Sequence, residues 1–265
     1  MTDLAYESLR TVTPTASVLL QRNPGPMTLD GTNTWLLRAS DADETVVVDP
    51  GETSDEHLDL LLAAAPRIAL VLITHGHFDH SQAAAALHER TGAPVHAVDP
   101  QHCHGGAPLR PDATFEAAGL RVQTVATPGH TADSVSFLVR DSSDETSAVL
   151  TGDTILGRGT TVVAHPDGNL RDYLDSLHRL ADLGPVAVLP GHGPELPDLA
   201  AAARFYLQHR QERLDQVRAA LDTLGPDATA RQIVEHVYAD VDQSVWWAAE
   251  LSVNAQLEYL AGSAG

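Results

Sequence analysis

Ile68-Ala69-Leu70-Val71-Leu72-Ile73 runs directly into Thr74-His75-Gly76-His77-Phe78-Asp79-His80, and the join between these two stretches decides the fold. The first stretch is β-branched at Ile68, Val71 and Ile73 and does not alternate with polar residues. Such a run predicts a strand buried in a sheet that is covered on both faces. The second stretch sets imidazoles and a carboxylate at that strand's carboxyl end, where open α/β sheets place their ligand sites. Neutral imidazole together with carboxylate suits zinc, and also manganese or iron.

Outward from this join the same grammar repeats. Upstream, Ala16–Gln21, Thr34–Arg38 and Glu44–Val48 read as strands, and Asp49-Pro50-Gly51 stops the third of them. Thr53–Ala65 reads as a helix with Leu58, Leu61 and Leu62 at helical spacing. Downstream, a helix over Ser81–Thr91 leads to a strand over Pro94–Val98. Further strands are predicted over Gly119–Ala126, Ser134–Arg140, Ala148–Leu150 and Pro185–Leu189, with a helix over Leu170–Leu183. Three of these strands also end in potential ligands: Pro128-Gly129-His130, Thr151-Gly152-Asp153 and Pro190-Gly191-His192. Glycine before each histidine lets the backbone turn tightly beneath it. Candidate ligands gathered at four strand ends indicate a metal-binding layer at one edge of helix-covered sheets.

From Pro197 the pattern turns helical. One long helix or two joined ones are expected over Leu199–Leu224, a shorter one over Ala230–Tyr238 with Thr229 as its N-cap, and a last one over Trp246–Leu260. The expected division is 1–198 for the ligand-bearing domain and 199–265 for a helical appendage. Trp247, Leu251, Leu257 and Leu260 are expected in the appendage core, and Arg204, Arg210, Arg213 and Arg218 on a solvated helix face.

The formal net charge of −20 over 265 residues is unusual, and all sixteen basic residues are arginine. It disfavours general attraction to nucleic acid. The single cysteine, Cys103, excludes an intrachain disulfide and a thiolate zinc cage. No apolar run is long enough to cross a bilayer, and Met1–Glu7 has no charged and apolar leader pattern, so a cytoplasmic location is expected.

The ordered set His-x-His-x-Asp-His, His130, Asp153, His192 resembles the metallo-beta-lactamase superfamily over roughly residues 15–200. The fold this implies is α/β, a four-layer αββα metallo-beta-lactamase sandwich with a small helical, partly winged-helix domain at the C-terminus. Carried over residue by residue, His75, His77 and His130 correspond to a first metal site, and Asp79, His80 and His192 to a second. Asp153 falls at the bridging carboxylate. The stretches Asn23–Thr28 and Gly31–Thr34 resemble a narrower glyoxalase-II-like group that carries a winged-helix appendage. A winged helix needs a β-hairpin after its last helix, and only Ala261–Gly265 remain here for one. Ser81-Gln82-Ala83 also departs from the glycine pair that many relatives carry.

The resemblance implies two ions about 3.5–4 Å apart, zinc first and iron or manganese as alternatives, that share a hydroxide as nucleophile. Asp79 would ligate one ion and orient that hydroxide. A small-molecule thioester or related ester is the leading substrate class. Alternatives are a single-strand-selective endoribonuclease, disfavoured by charge, a β-lactam hydrolase, and a non-catalytic metal-binding or interaction module. His165 is a candidate proton donor, and Asn33 and Arg158 are candidate substrate-binding residues. A metal site at His96, His102, Cys103 and His104 is weighed against a surface turn, which is preferred. Oligomeric state is left open.

Overall fold

The computed structural model describes residues 5–239 and 242–262. Strands β1 (Leu9–Thr13), β2 (Ala16–Leu20), β3 (Asn33–Leu37), β4 (Thr45–Val48), β5 (Ile68–Leu72) and β6 (Val95–His96) form one sheet in chain order. Pairing is antiparallel from β1 to β4 and parallel from β4 to β6. In β5, Leu70 and Leu72 pack inward with Val46 and Val48 of β4, whereas Val71 packs outward with Val47. Burial of both faces is why neither strand alternates with polar residues. Helices α1 (Asp55–Ala64) and α3 (Ala84–Thr91) cover the outer face through Leu58, Leu61 and Leu87. Between them, a single turn α2 (Phe78–Ser81) carries Asp79 and His80.

The second sheet holds β7 (Thr114–Ala117), β8 (Leu120–Ala126), β9 (Val135–Arg140), β10 (Thr146–Gly152) and β11 (Val188–Pro190), in the order β11-β10-β9-β8-β7. Its inner face supplies Val122, Phe137, Val139 and Leu150 to the core shared with the first sheet. Its outer face is covered by α4 (Leu170–Ala181) and by the first half of α5 (Leu199–Leu224) through Tyr173, Leu177, Leu199 and Tyr206. The result is the four-layer αββα sandwich expected from the sequence.

Helices α6 (Ala230–Val237) and α7 (Trp246–Gly262) complete the C-terminal region. Thr229 caps α6 in a capping box with Gln232. Val217, Ala220, Ile233, Val234, Trp246 and Val253 form a separate small core there. The domain border expected at 198/199 coincides with Asp198, the N-cap of α5. Leu199, Ala203, Tyr206 and Leu214 nevertheless belong to the sandwich core, so the appendage core begins only at Val217 of α5. Among the described residues no β-hairpin follows α6 or α7.

Three expectations need correction. Strands β1 and β7 went unpredicted; both are edge strands, and β1 is largely exposed, so they lack a buried apolar pattern. Trp247 is 53% exposed rather than buried in the appendage core, which takes Trp246 instead. Arg210 is buried, not solvated: its guanidinium donates to Thr161 O and lies over the Tyr173 ring.

Gly129, at φ +140°, brings the β8 end against α4, where an added Cβ would lie 2.3 Å from Tyr173 Cα. Gly129→Ala is therefore expected to cost at least about 1–3 kcal/mol from backbone strain alone. Denaturant unfolding checks this as a lowered midpoint with an unchanged slope.

Candidate metal centre

The candidate ligands converge because four strand ends meet at one edge of the sandwich. His75 and His77 follow β5, His130 follows β8, Asp153 follows β10, and His192 follows β11. The two sheets are tied together there by Val135 N donating to Thr74 O and Asn33 N donating to Gly191 O. Ser81 Oγ donates to both Gly76 O and His77 O and closes the loop that presents the motif. Gly191 leaves room for the cluster, since a Cβ there would sit 2.6 Å from Asp153 Oδ1 and 2.7 Å from His80 Cε1.

The outward-facing nitrogen of four rings is held by an acceptor. His80 Nδ1 donates to Asp49 Oδ2 at 2.8 Å, His130 Nδ1 to Val162 O at 2.6 Å, and His192 Nδ1 to Gly31 O at 3.0 Å. Thr74 Oγ1 donates to Asp49 Oδ2, so it accepts from His75 Nδ1 at 3.1 Å. These bonds assign the tautomers and turn the Nε2 lone pairs inward. There, His75 Nε2 and His130 Nε2 lie 3.0 and 3.1 Å from His77 Nδ1. His80 Nε2 lies 3.2 Å from His192 Nε2, and Asp79 Oδ2 lies 3.0 Å from the latter. Asp153 reaches both groups, with Oδ1 3.4 Å from His80 Nε2 and Oδ2 3.8 Å from His130 Nε2.

This donor set fits cations. The atoms of His75, His77 and His130 lie close enough to share one ion, as do those of Asp79, His80 and His192, and those of His75, His80 and Asp153. Asp153 Oδ1 is buried and has no hydrogen-bond partner, the condition of a ligand atom awaiting a cation rather than of a settled core carboxylate.

The metal-free charge balance agrees. Burial, and then the charge of His80, holds His75 well below the ordinary imidazole value. Burial also holds His130 down, against the pull of Asp153. For His80, burial is outweighed by Asp79, Asp153 and Asp49, which hold the ring well above that value. His192 is raised too, with Asp153 and Asp79 overcoming its burial. For Asp153, burial is outweighed by His192 and His80, so its carboxyl lies well below the carboxylate range. The carboxylates of Asp79 and Asp153 and the rings of His80 and His192, whose Nε2 atoms lie 3.2 Å apart, thus compensate one another. A divalent ion bound among them would take over that compensation.

A cavity of about 170 Å³ opens on the ligands His77, Asp79, His130 and Asp153. Its remaining wall is apolar: Met27, Phe78, Val162, Ala164, Trp247 and Leu251. The other expected site residues lie elsewhere. Asn33 is buried, and its amide donates to Pro190 O and Gly193 O, so it braces the loop that carries His192. Arg158 pairs with Asp30 and lines a different cavity with Arg10 and Pro194. His165 Nε2 lies 3.4 Å from Glu258 Oε2, and His165 is not in the wall of the metal cavity. His96 bonds Ala107 O and His104 stacks on His88, so these rings do not converge with Cys103.

Residues 27–192 match the metallo-beta-lactamase superfamily model, and residues 229–262 match the β-lactamase-associated winged-helix domain. The chain belongs to the metallo-beta-lactamase superfamily. It is 31% identical over 266 residues to a β-lactamase-like protein 2 homolog of Caenorhabditis elegans, covering 96% of this chain and 86% of that one. It is 30% identical over 253 residues to the atrochrysone carboxyl ACP thioesterase of Aspergillus fumigatus, covering 88% and 76%. A metallo-beta-lactamase family protein from Thermus thermophilus shares the fold at TM-score 0.78 and 22% identity over 96% and 95% of the two chains. Membership makes the chain a metal-dependent hydrolase by family.

Several contributors to this superfamily site were not singled out from the sequence. In the sequence Asp49 is only a strand stop, yet it accepts bonds from Thr74 N, Thr74 Oγ1 and His80 Nδ1. It sits at φ +53°, a left-handed conformation that Asp and Asn tolerate better than most residues. That tolerance, just before Pro50-Gly51, was the available signal. Thr161, Arg210 and Ser252 gave none; they brace the segment behind His130.

Asp49→Asn keeps the backbone tolerance and removes the charged acceptor. Metal affinity is expected to fall about 10–100-fold with the fold retained, measured by competition with a chromophoric chelator.

Proposed function

We propose that this chain hydrolyses thioesters or related esters with two divalent ions, zinc before iron or manganese, held by His75/His77/His130 and Asp79/His80/His192. The observation that carries the proposal is the wall of the metal cavity. Apart from the ligands it is apolar, and among the described residues it includes no arginine and no serine, threonine or cysteine. An acyl group fits such a wall, while a phosphodiester backbone finds no protein cation in it. The neighbouring cavity, across His77, is lined by Asp99, Asp133 and Asp167 and would repel a polyanion further. The relative named as a thioesterase supports the same class.

With no serine, threonine or cysteine in the wall, and with its carboxylates and imidazoles assigned to the ions, the attacking group is water. Bound ions would lower the pKa of a water toward about 7 and polarise the scissile carbonyl. Asp79 lines the cavity with one oxygen directed at His192 Nε2, leaving the other to orient the water and accept its proton. The water oxygen bonds to the carbonyl carbon, the C–S bond breaks, and the thiolate leaves with that proton. The apolar wall keeps bulk water from the reacting carbonyl. Asp153, whose two oxygens face different ligand groups, holds those groups in register.

Asp79→Ala is expected to lower kcat on an acyl-thioester by about 10²–10⁴-fold while circular dichroism stays that of the wild type. A metal-replete variant with near-normal rates would remove Asp79 from this role. Offering short single-stranded RNA beside the thioester separates the substrate classes. Salt-sensitive RNA cleavage without thioester turnover would reverse the assignment.

A further inference from the structure

Trp247 and Leu251 lie one turn apart on α7, outside the sandwich that supplies every candidate ligand, yet both line the metal cavity. Trp247 is 53% exposed and Phe78, across the mouth, 62% exposed. Large aromatic side chains this exposed are costly to leave in water unless something covers them. Here they flank an opening whose floor is His77, Asp79, His130 and Asp153. Trp247 is also fixed relative to that floor. Ser252, on the same helix, accepts from Val163 N, and the adjacent Val162 O holds His130 Nδ1. The 161–164 segment is thereby pinned between the ligand ring and α7.

We propose that the cavity receives a ring-bearing acyl group, seated between Phe78 and Met27 on the sandwich and Trp247 and Leu251 on the appendage. This rests on the hydrolase reading of the same site. The cavity volume of about 170 Å³ matches one ring. An apolar protein cavity of about 150 Å³ takes up one benzene ring, so one aromatic ring fits inside, while a long alkyl chain would project past the exposed rims of Trp247 and Phe78 into water. Aromatic walls favour a ring further, through offset or edge-to-face contact. Met27 adds a thioether able to adjust to the ring's substituents. The appendage thus sets which acyl group is accepted, while the strand ends hold the ions.

The test uses the metal-replete full chain and N-acetylcysteamine thioesters of acetate, phenylacetate and palmitate. The phenylacetyl ester is expected to exceed the acetyl ester in kcat/KM by about ten- to a hundredfold, the effect of burying one aromatic side-chain equivalent. It should also exceed the palmitoyl ester. Trp247→Ala should lower the phenylacetyl-to-acetyl ratio about tenfold with bound metal unchanged. Phe205→Ala, an exposed aromatic on α5 outside the cavity, should leave the ratio alone. Equal rates for the three esters, or an unchanged ratio in the Trp247 variant, would overturn the proposal. A binding arm separates it from the hydrolase reading. If no ester is cleaved but phenylacetate still quenches tryptophan fluorescence in wild type and not in Trp247→Ala, the ring pocket stands and the hydrolase reading fails. Neither cleavage nor quenching overturns both.

Discussion

The buried carboxylate of Asp49 accepts from the Thr74 amide, the Thr74 hydroxyl and His80 Nδ1, and so joins the end of β4 to the turn after β5. Thr74 in turn accepts from His75 Nδ1, so one carboxylate orients a ring in each of the two ligand groups. A buried carboxylate without such partners would be unstable in this layer. With them, it fixes which nitrogen of each ring faces inward. His130 and His192 are oriented by main-chain carbonyls at Val162 and Gly31. The geometry of the centre therefore depends on loop backbones as much as on the ligands themselves.

That dependence explains what could be read in advance. Strand β5 announces itself because burial on both faces removes polar alternation, and the ligands announce themselves by residue type at the strand ends. Edge strands β1 and β7 meet neither condition, since the outermost strand of a sheet needs no apolar pattern to stay paired. Asp49 is silent for a different reason. An acid at a strand end before Pro-Gly is what any turn would carry, and only the packing of β4 against β5 turns it into an anchor for His80. Arg210 looks like one arginine among several on an acidic–basic helix face. Its burial is a tertiary fact, created when α5 lies along α4 and meets Thr161 and the Tyr173 ring.

The appendage is similarly two things at once. The end of α5 from Val217, with α6 and α7, closes a core of its own around Ile233, Trp246 and Val253. The same helices send Arg210 and Ser252 to the segment behind His130. Helical periodicity in the sequence points only to the first of these, because it describes how a helix buries one face and is blind to what its other face approaches. The Trp246-Trp247 pair shows this directly. Adjacent helical positions lie about 100° apart, so one ring enters the small core while its neighbour must turn elsewhere.

In the proposed reading, chemistry and selectivity sit on structurally different supports. The ligands are held at strand ends, where hydrogen-bonded registers allow little displacement and a changed side chain disturbs several rings at once. Trp247 and Leu251 project from a helix, and their side chains can change size without altering any strand register. The acidic surface bears on the same division. A net charge of −20 and the aspartates flanking His77 discourage polyanions from approaching, whereas an uncharged acyl ester is indifferent to that field. On the proposed reading, recognition falls to contact inside the apolar cavity, where the aromatic walls act without competition from charge.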